Sequence, residues 1–125
     1  MKPSEQSRLR DIRERTFRFA IRVVNLCQRL DDKPGVGRIL GRQLLRAGTS
    51  IGANIEEAQA AQSRADFISK NAIALKEARE THYWVRLLAA ADVVSDAQIS
   101  DLQTEVGELM RVLGAIVVSS KKIHA

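Results

Sequence analysis

"RAGTSIGANIEEA", residues 46–58, holds two glycines four positions apart, a serine and an asparagine at helical spacing, and an acidic pair near its end. Read as a loop, it would look like a phosphate cradle in an α/β protein; read as a helix, it becomes the middle of an all-α one. The register decides between them. Leu40, Leu44, Ala47, Ile51, Ile55 and Ala58 recur at steps of three and four straight through the stretch, which predicts one helix over residues 36–61. The loop reading also lacks the G-x-x-x-x-G-K-[ST] spacing, a lysine to meet a phosphate, and a strand in front of it.

The same periodicity extends in both directions. Leu9, Ile12, Thr16, Phe19, Val23, Leu26 and Leu30 form an a/d row that predicts a first helix over 8–31. Phe17, Ala20, Val24 and Cys27 widen its apolar face, so more than one neighbour is expected to cover it. "DDKPG" (31–35) ends that helix, because Pro34 lacks a backbone donor and Gly35 permits turn geometry. Ser63 with Asp66 and Ser95 with Gln98 have capping-box spacing and open two further helices, 64–92 and 96–120. The third carries Phe67, Asn71, Ala74, Ala78, Thr81, Val85 and Leu88 on one face, the fourth Ile99, Leu102, Val106, Leu109, Leu113 and Ile116. Four helices joined by short loops turn back on one another. The expected fold is an all-α, up-down-up-down four-helix bundle, a single domain over 1–125, about 35–40 Å long at roughly 1.5 Å per residue.

Composition agrees. At 125 residues the chain supports one core, and with 45% apolar but only 4% aromatic residues that core must be aliphatic. Both prolines, Pro3 and Pro34, lie outside the periodic segments. The lone cysteine, Cys27, cannot close an internal disulfide and sits on an apolar face, where cysteine acts as a small hydrophobe. A di-metal bundle would need Glu-x-x-His on two facing helices. Here Glu77-x-x-Glu80 and Glu105-x-x-Glu108 occur instead, with His82 pointing elsewhere and His124 in the tail, so neither metal nor cofactor is expected. No nucleophile–base constellation is evident, and catalysis is not the expectation. The N-terminus lacks an apolar leader and no apolar run reaches the roughly 20 residues of a membrane span. A soluble, cytoplasmic protein is expected.

Charge is uneven. Residues 1–46 hold 12 Lys/Arg against 5 Asp/Glu (+7), while residues 47–125 hold 8 against 10 (−2). At about 100° per residue, Arg8, Arg15, Arg18, Arg22 and Arg29 fall within roughly 80° of the first helix. Such a row could follow an RNA or DNA backbone, each guanidinium forking onto a phosphate. The alternative is a basic face that only keeps a protein-binding or structural oligomer in solution. On the second helix, Gln43, Arg46, Ser50, Asn54 and Glu57 form a polar stripe beside the apolar row. Gly48 and Gly52 each cost about 1 kcal/mol relative to alanine in a helix, so a close helix contact should offset them. The third helix, with Ile73, Glu77, Glu80, Trp84 and Leu87 on a second face, is the expected counterpart, and Arg46 is expected to pair with Glu77 or Glu80 within or between subunits.

With these residues in view, the chain resembles the bacterial four-helix-bundle family of proteins encoded in intervening sequences of 23S ribosomal RNA genes, the S23 family. The resemblance rests on "R-A-x-T-S-I-x-A-N-I-x-E-A" followed by "A-L-K-E-A-x-E-T-x-Y-W", within Leu40 to Leu88. It implies a left-handed bundle assembling as a ring-like homopentamer, and no enzymatic activity. The accessory proteins of diversity-generating retroelements look like relatives, in which a basic pentamer binds nucleic acid and a reverse transcriptase. The motif falls on Arg46, Ser50, Asn54, Glu57, Glu77, Glu80 and Trp84, which the resemblance marks as shared structure rather than a catalytic site. The arginines of the first helix are not part of it.

Overall fold

Four helices, α1 (Glu5–Leu30), α2 (Val36–Gln59), α3 (Arg64–Ala90) and α4 (Asp96–His124), make up the computed structural model. It describes the backbone of residues 5–124 and the side chains of residues 9–122. Each helix packs on the next in sequence and α4 returns to touch α1, while among the described residues the diagonal pairs α1/α3 and α2/α4 make no close backbone approach. That is the antiparallel up-down-up-down arrangement short connections impose. The α1–α4 seam is the sparsest of the four.

Most of the predicted rows form the core, while Leu9, Leu30, Leu40, Phe67 and Ile116 at their ends are only half-buried, and Val117 takes the inward place expected of Ile116. Ile12, Phe19, Val23 and Leu26 of α1 bury against Leu44, Ile51 and Ile55 of α2, Val85 and Leu88 of α3, and Leu109 and Leu113 of α4. Polar residues that fall in these rows satisfy themselves on their own helix. The Thr16 hydroxyl donates to the Ile12 carbonyl at 2.8 Å and Thr81 to Glu77 at 2.8 Å, and Asn71 Nδ2 donates to Phe67 at 2.9 Å. A buried donor with a local acceptor avoids the desolvation cost of an unmade hydrogen bond.

The helix ends have identifiable causes. Gly35 adopts φ 136° ahead of α2, a conformation open to glycine and strained for other residues. Ser63 caps α3 by accepting from the Asp66 amide at 3.0 Å. At the other end α3 stops at Ala90, two residues before the predicted boundary, because Asp92 turns left-handed at φ 57°. Its amide donates to Ala89 at 3.1 Å and that of Val93 to Leu88 at 3.0 Å, a Schellman closure with aspartate in place of glycine. Gln98 Oε1 accepts from the Ser95 amide at 2.9 Å and opens α4.

The widened face of α1 is only partly covered. Cys27 is buried, but Ala20 and Val24 are half-buried and Phe17 is 65% exposed. Phe17 and Ala20 line an outer groove of the α1–α2 pair with Thr49 and Ala53, and further along Val24 lines it with Leu45.

Candidate nucleic-acid interface

The α1 arginines divide into two kinds. Arg8 lies on α1, but its side chain falls outside the described ones. Arg15 turns away from solvent across the α1–α4 seam, its Nε and Nη2 donating to the two carboxylate oxygens of Glu105 at 3.2 and 2.8 Å. Both side chains are largely shielded, at 26% and 21% exposure. Donating these hydrogen bonds to Glu105 raises the Arg15 pKa, against a smaller opposing effect of burial. Arg15 is thereby a tie between helices, not a free phosphate donor. Arg18 is exposed and stands 3.7 Å from Glu14 one turn earlier. Arg22 and Arg29 are exposed and, among the described residues, have no acidic partner. The face open to a polyanion therefore centres on Arg18, Arg22 and Arg29. Asp11 shares the arc and Glu14 borders it, acidic neighbours that a row of arginines does not reveal in the sequence.

The motif residues gather at the α2–α3 seam. The Arg46 guanidinium lies 3.6 Å from Glu77 and forms an ion pair with Glu80 in the same chain. Glu80 Oε2 also accepts from Trp84 Nε1 at 3.2 Å, so Glu80 links the α2 arginine to the α3 indole. Asn54 Nδ2 donates to the Ser50 carbonyl at 2.9 Å and to its hydroxyl at 3.2 Å, bracing one turn of α2. Gln43 and Glu57 are exposed.

The glycines face elsewhere than expected. A Cβ on Gly48 would meet Val23 Cγ2 at 2.9 Å, and one on Gly52 would meet the Thr16 carbonyl oxygen at 3.4 Å, so both open onto α1 rather than α3. Gly41, which the sequence reading passed over, joins them against Leu30 Cβ at 3.2 Å. Thr16, Val23 and Leu30 are each seven residues apart, one knob per two turns, and the glycines are the holes that receive them. The polar stripe meets α3 and the glycine row meets α1; α2 serves both neighbours from two sides.

Cys27 is buried, donates to the Gly41 carbonyl at 3.1 Å, and has its thiol pushed up to about 11 by desolvation. It is protonated at neutral pH and a poor nucleophile. Among the described residues no three His, Cys, Asp or Glu side chains are grouped to hold a metal ion, and no helix is long and apolar enough to cross a membrane.

A family model described as 23S rRNA-intervening sequence protein matches residues 10–115. Among solved structures, the chain is similar to a protein of unknown function from the S23 ribosomal protein family of Bacteroides thetaiotaomicron VPI-5482. The two are 42% identical over 88% of this chain and 97% of the other, with a TM-score of 0.81. No curated protein matches. The matched span runs from α1 into α4 and so takes in both the arginine face and the motif seam.

Proposed function

The chain belongs to the 23S rRNA-intervening sequence protein family, and from that premise we propose that it is a non-catalytic, cytoplasmic, homo-oligomeric bundle that associates with RNA or DNA backbone through its basic surface. The observation that carries this reading is the exposed α1 face, where Arg22 and Arg29 stand without acidic partners among the described residues. A guanidinium neutralised by a carboxylate has little to offer a phosphate. An unpaired one on a chain of formal charge +5 releases counterions when it meets a polyanion. Contacts of this kind read backbone and not base edges, so weak sequence preference is expected.

Anisotropy of labelled RNA and DNA, titrated between about 50 and about 200 mM salt, tests it. Affinity should fall steeply with salt, and Arg22→Ala with Arg29→Ala should weaken binding about equally across sequences. Arg15→Ala, by contrast, should alter stability and leave affinity nearly unchanged. Absence of binding at the lowest salt would leave the alternative, a protein-binding or structural oligomer, which the exposed apolar row of Phe17, Ile21 and Leu45 favours.

A further inference from the structure

Helix α3 carries a basic face distinct both from its inward row and from the face of Glu77, Glu80 and Trp84 that meets Arg46. Lys76, Arg79, Tyr83 and Arg86 recur at steps of three, four and three, and all four are exposed. At about 100° per residue they share an arc of about 80°, opposite the buried row through Ala74, Ala78, Thr81 and Val85. Because α1 and α3 are diagonal in the bundle, this face looks away from the α1 arginines. Among the described residues none of the three cations is in an ion pair. Glu80, four positions after Lys76, is already engaged by Arg46 and the Trp84 indole.

The aromatic ring distinguishes this face from a merely solvated one. Tyr83 is 54% exposed, with Arg79 one turn before it and Arg86 one turn after. Its ring meets Trp84 edge to face, centroids 5.1 Å apart and planes at 77°. Trp84 is itself anchored to Glu80 at 3.2 Å, so the tyrosine is pre-positioned and loses little freedom on binding. Phe17 on α1 offers no equivalent, because the nearby Arg13 and Glu56 pair with each other at 2.9 Å.

A row of unpaired cations roughly 15 Å long can hold consecutive phosphates. A ring between them can stack on a base only if the base has left its helix, since a duplex hides its base faces. An acidic peptide would use the cations and leave the ring idle. We propose that the α3 face binds single-stranded nucleic acid, with Lys76, Arg79 and Arg86 holding phosphates and Tyr83 stacking on an unpaired base. The proposal shares its ligand class with the reading above and rests on it in that respect, but it concerns a different surface.

The lone tryptophan, beside Tyr83, is the reporter. The full chain is titrated at low salt with oligo(dT) and with a blunt duplex of equal length, reading anisotropy and Trp84 fluorescence. The single strand should bind more tightly and quench Trp84. Tyr83→Ala should weaken single-strand binding about tenfold and abolish the quench while leaving duplex affinity unchanged, and Tyr83→Phe should restore both signals. Replacing Lys76, Arg79 and Arg86 by alanine should reduce the salt slope for the single strand by about 2, at about 0.7 per lost phosphate contact. Equal loss for single strand and duplex in Tyr83→Ala, or no loss, overturns the assignment, as does polyglutamate that competes as well as oligo(dT). Loss of binding in Arg22→Ala/Arg29→Ala alone, with the α3 variants unaffected, sinks this proposal and leaves the α1 reading standing. Failure of both oligonucleotides to bind sinks both.

Discussion

Gly48 and Gly107 are mid-helix glycines with opposite reasons to exist. A methyl on Gly48 would press within 2.9 Å of Val23, a stiff, fully buried side chain, whereas nothing lies within 4 Å of a Cβ on Gly107 or Gly114. Alanine gains about 1 kcal/mol of helix propensity at either place. At Gly48 overpacking should cost about 1–3 kcal/mol and outweigh it. Gly48→Ala should therefore lower the urea midpoint, and Gly107→Ala should raise stability by up to about 1 kcal/mol. If both shift in the same direction, the packing account of these glycines is wrong. The sequence made the close contact at Gly48 and Gly52 legible, because two helix-weakening residues one turn apart need an offset. It did not identify the neighbour: a period shows which face a residue occupies, and only the assembled bundle shows that α1 fills it. Tyr83 stands in the shared motif, but its place on a basic face was not legible for a related reason, since an outward 3-4-3 pattern has no hydrophobic period to announce it.

At the level of the helices, ion pairs mark three of the seams, and their shielding ranks them. Arg13–Glu56 bridges α1 and α2 with 44% and 55% of its side chains exposed, and Arg46 with Glu77 and Glu80 bridges α2 and α3. Arg15–Glu105 bridges α1 and α4 with two parallel hydrogen bonds and about a quarter of each side chain exposed. Solvent and salt weaken the first kind most. Double-mutant cycles to alanine should give a coupling of about 1 kcal/mol or more for Arg15–Glu105, and a smaller one that salt abolishes for the exposed Arg13–Glu56 pair. Additive losses at Arg15 and Glu105 would refute the tie. Helix existence, order and most of the inward rows were readable from the periodicity, which failed at row ends such as Ile116, where Val117 turns inward instead. Arg15 was not, because an arginine at the edge of an arc reaches solvent or a neighbouring helix depending on what stands beside it. The end of α3 was also misplaced, since no sequence period signals that Asp92 takes the left-handed conformation.

For the whole molecule, charge and apolar exposure make opposing demands on assembly. Five copies would bring together 5 × (+5) = +25 formal charges, so association needs an apolar contact strong enough to outweigh the repulsion. The α1–α2 outer groove offers one: Phe17 and Leu45 along it are exposed at 65% and 36%, and Ile21 on α1 at 46%. Fully covering a side chain of this size contributes about 1.5–3 kcal/mol, and a closed ring repeats that contribution at every interface. A pentamer of the 13.9 kDa chain has a mass of 5 × 13.9 = 69.5 kDa. Light scattering at micromolar concentration should find that mass and find it favoured by salt, which screens the repulsion. Phe17→Glu combined with Leu45→Glu should return the 13.9 kDa species with its helical content intact, because both side chains lie outside the core. A monomeric wild-type chain, or an assembly indifferent to both substitutions, would show that the groove is not where copies meet.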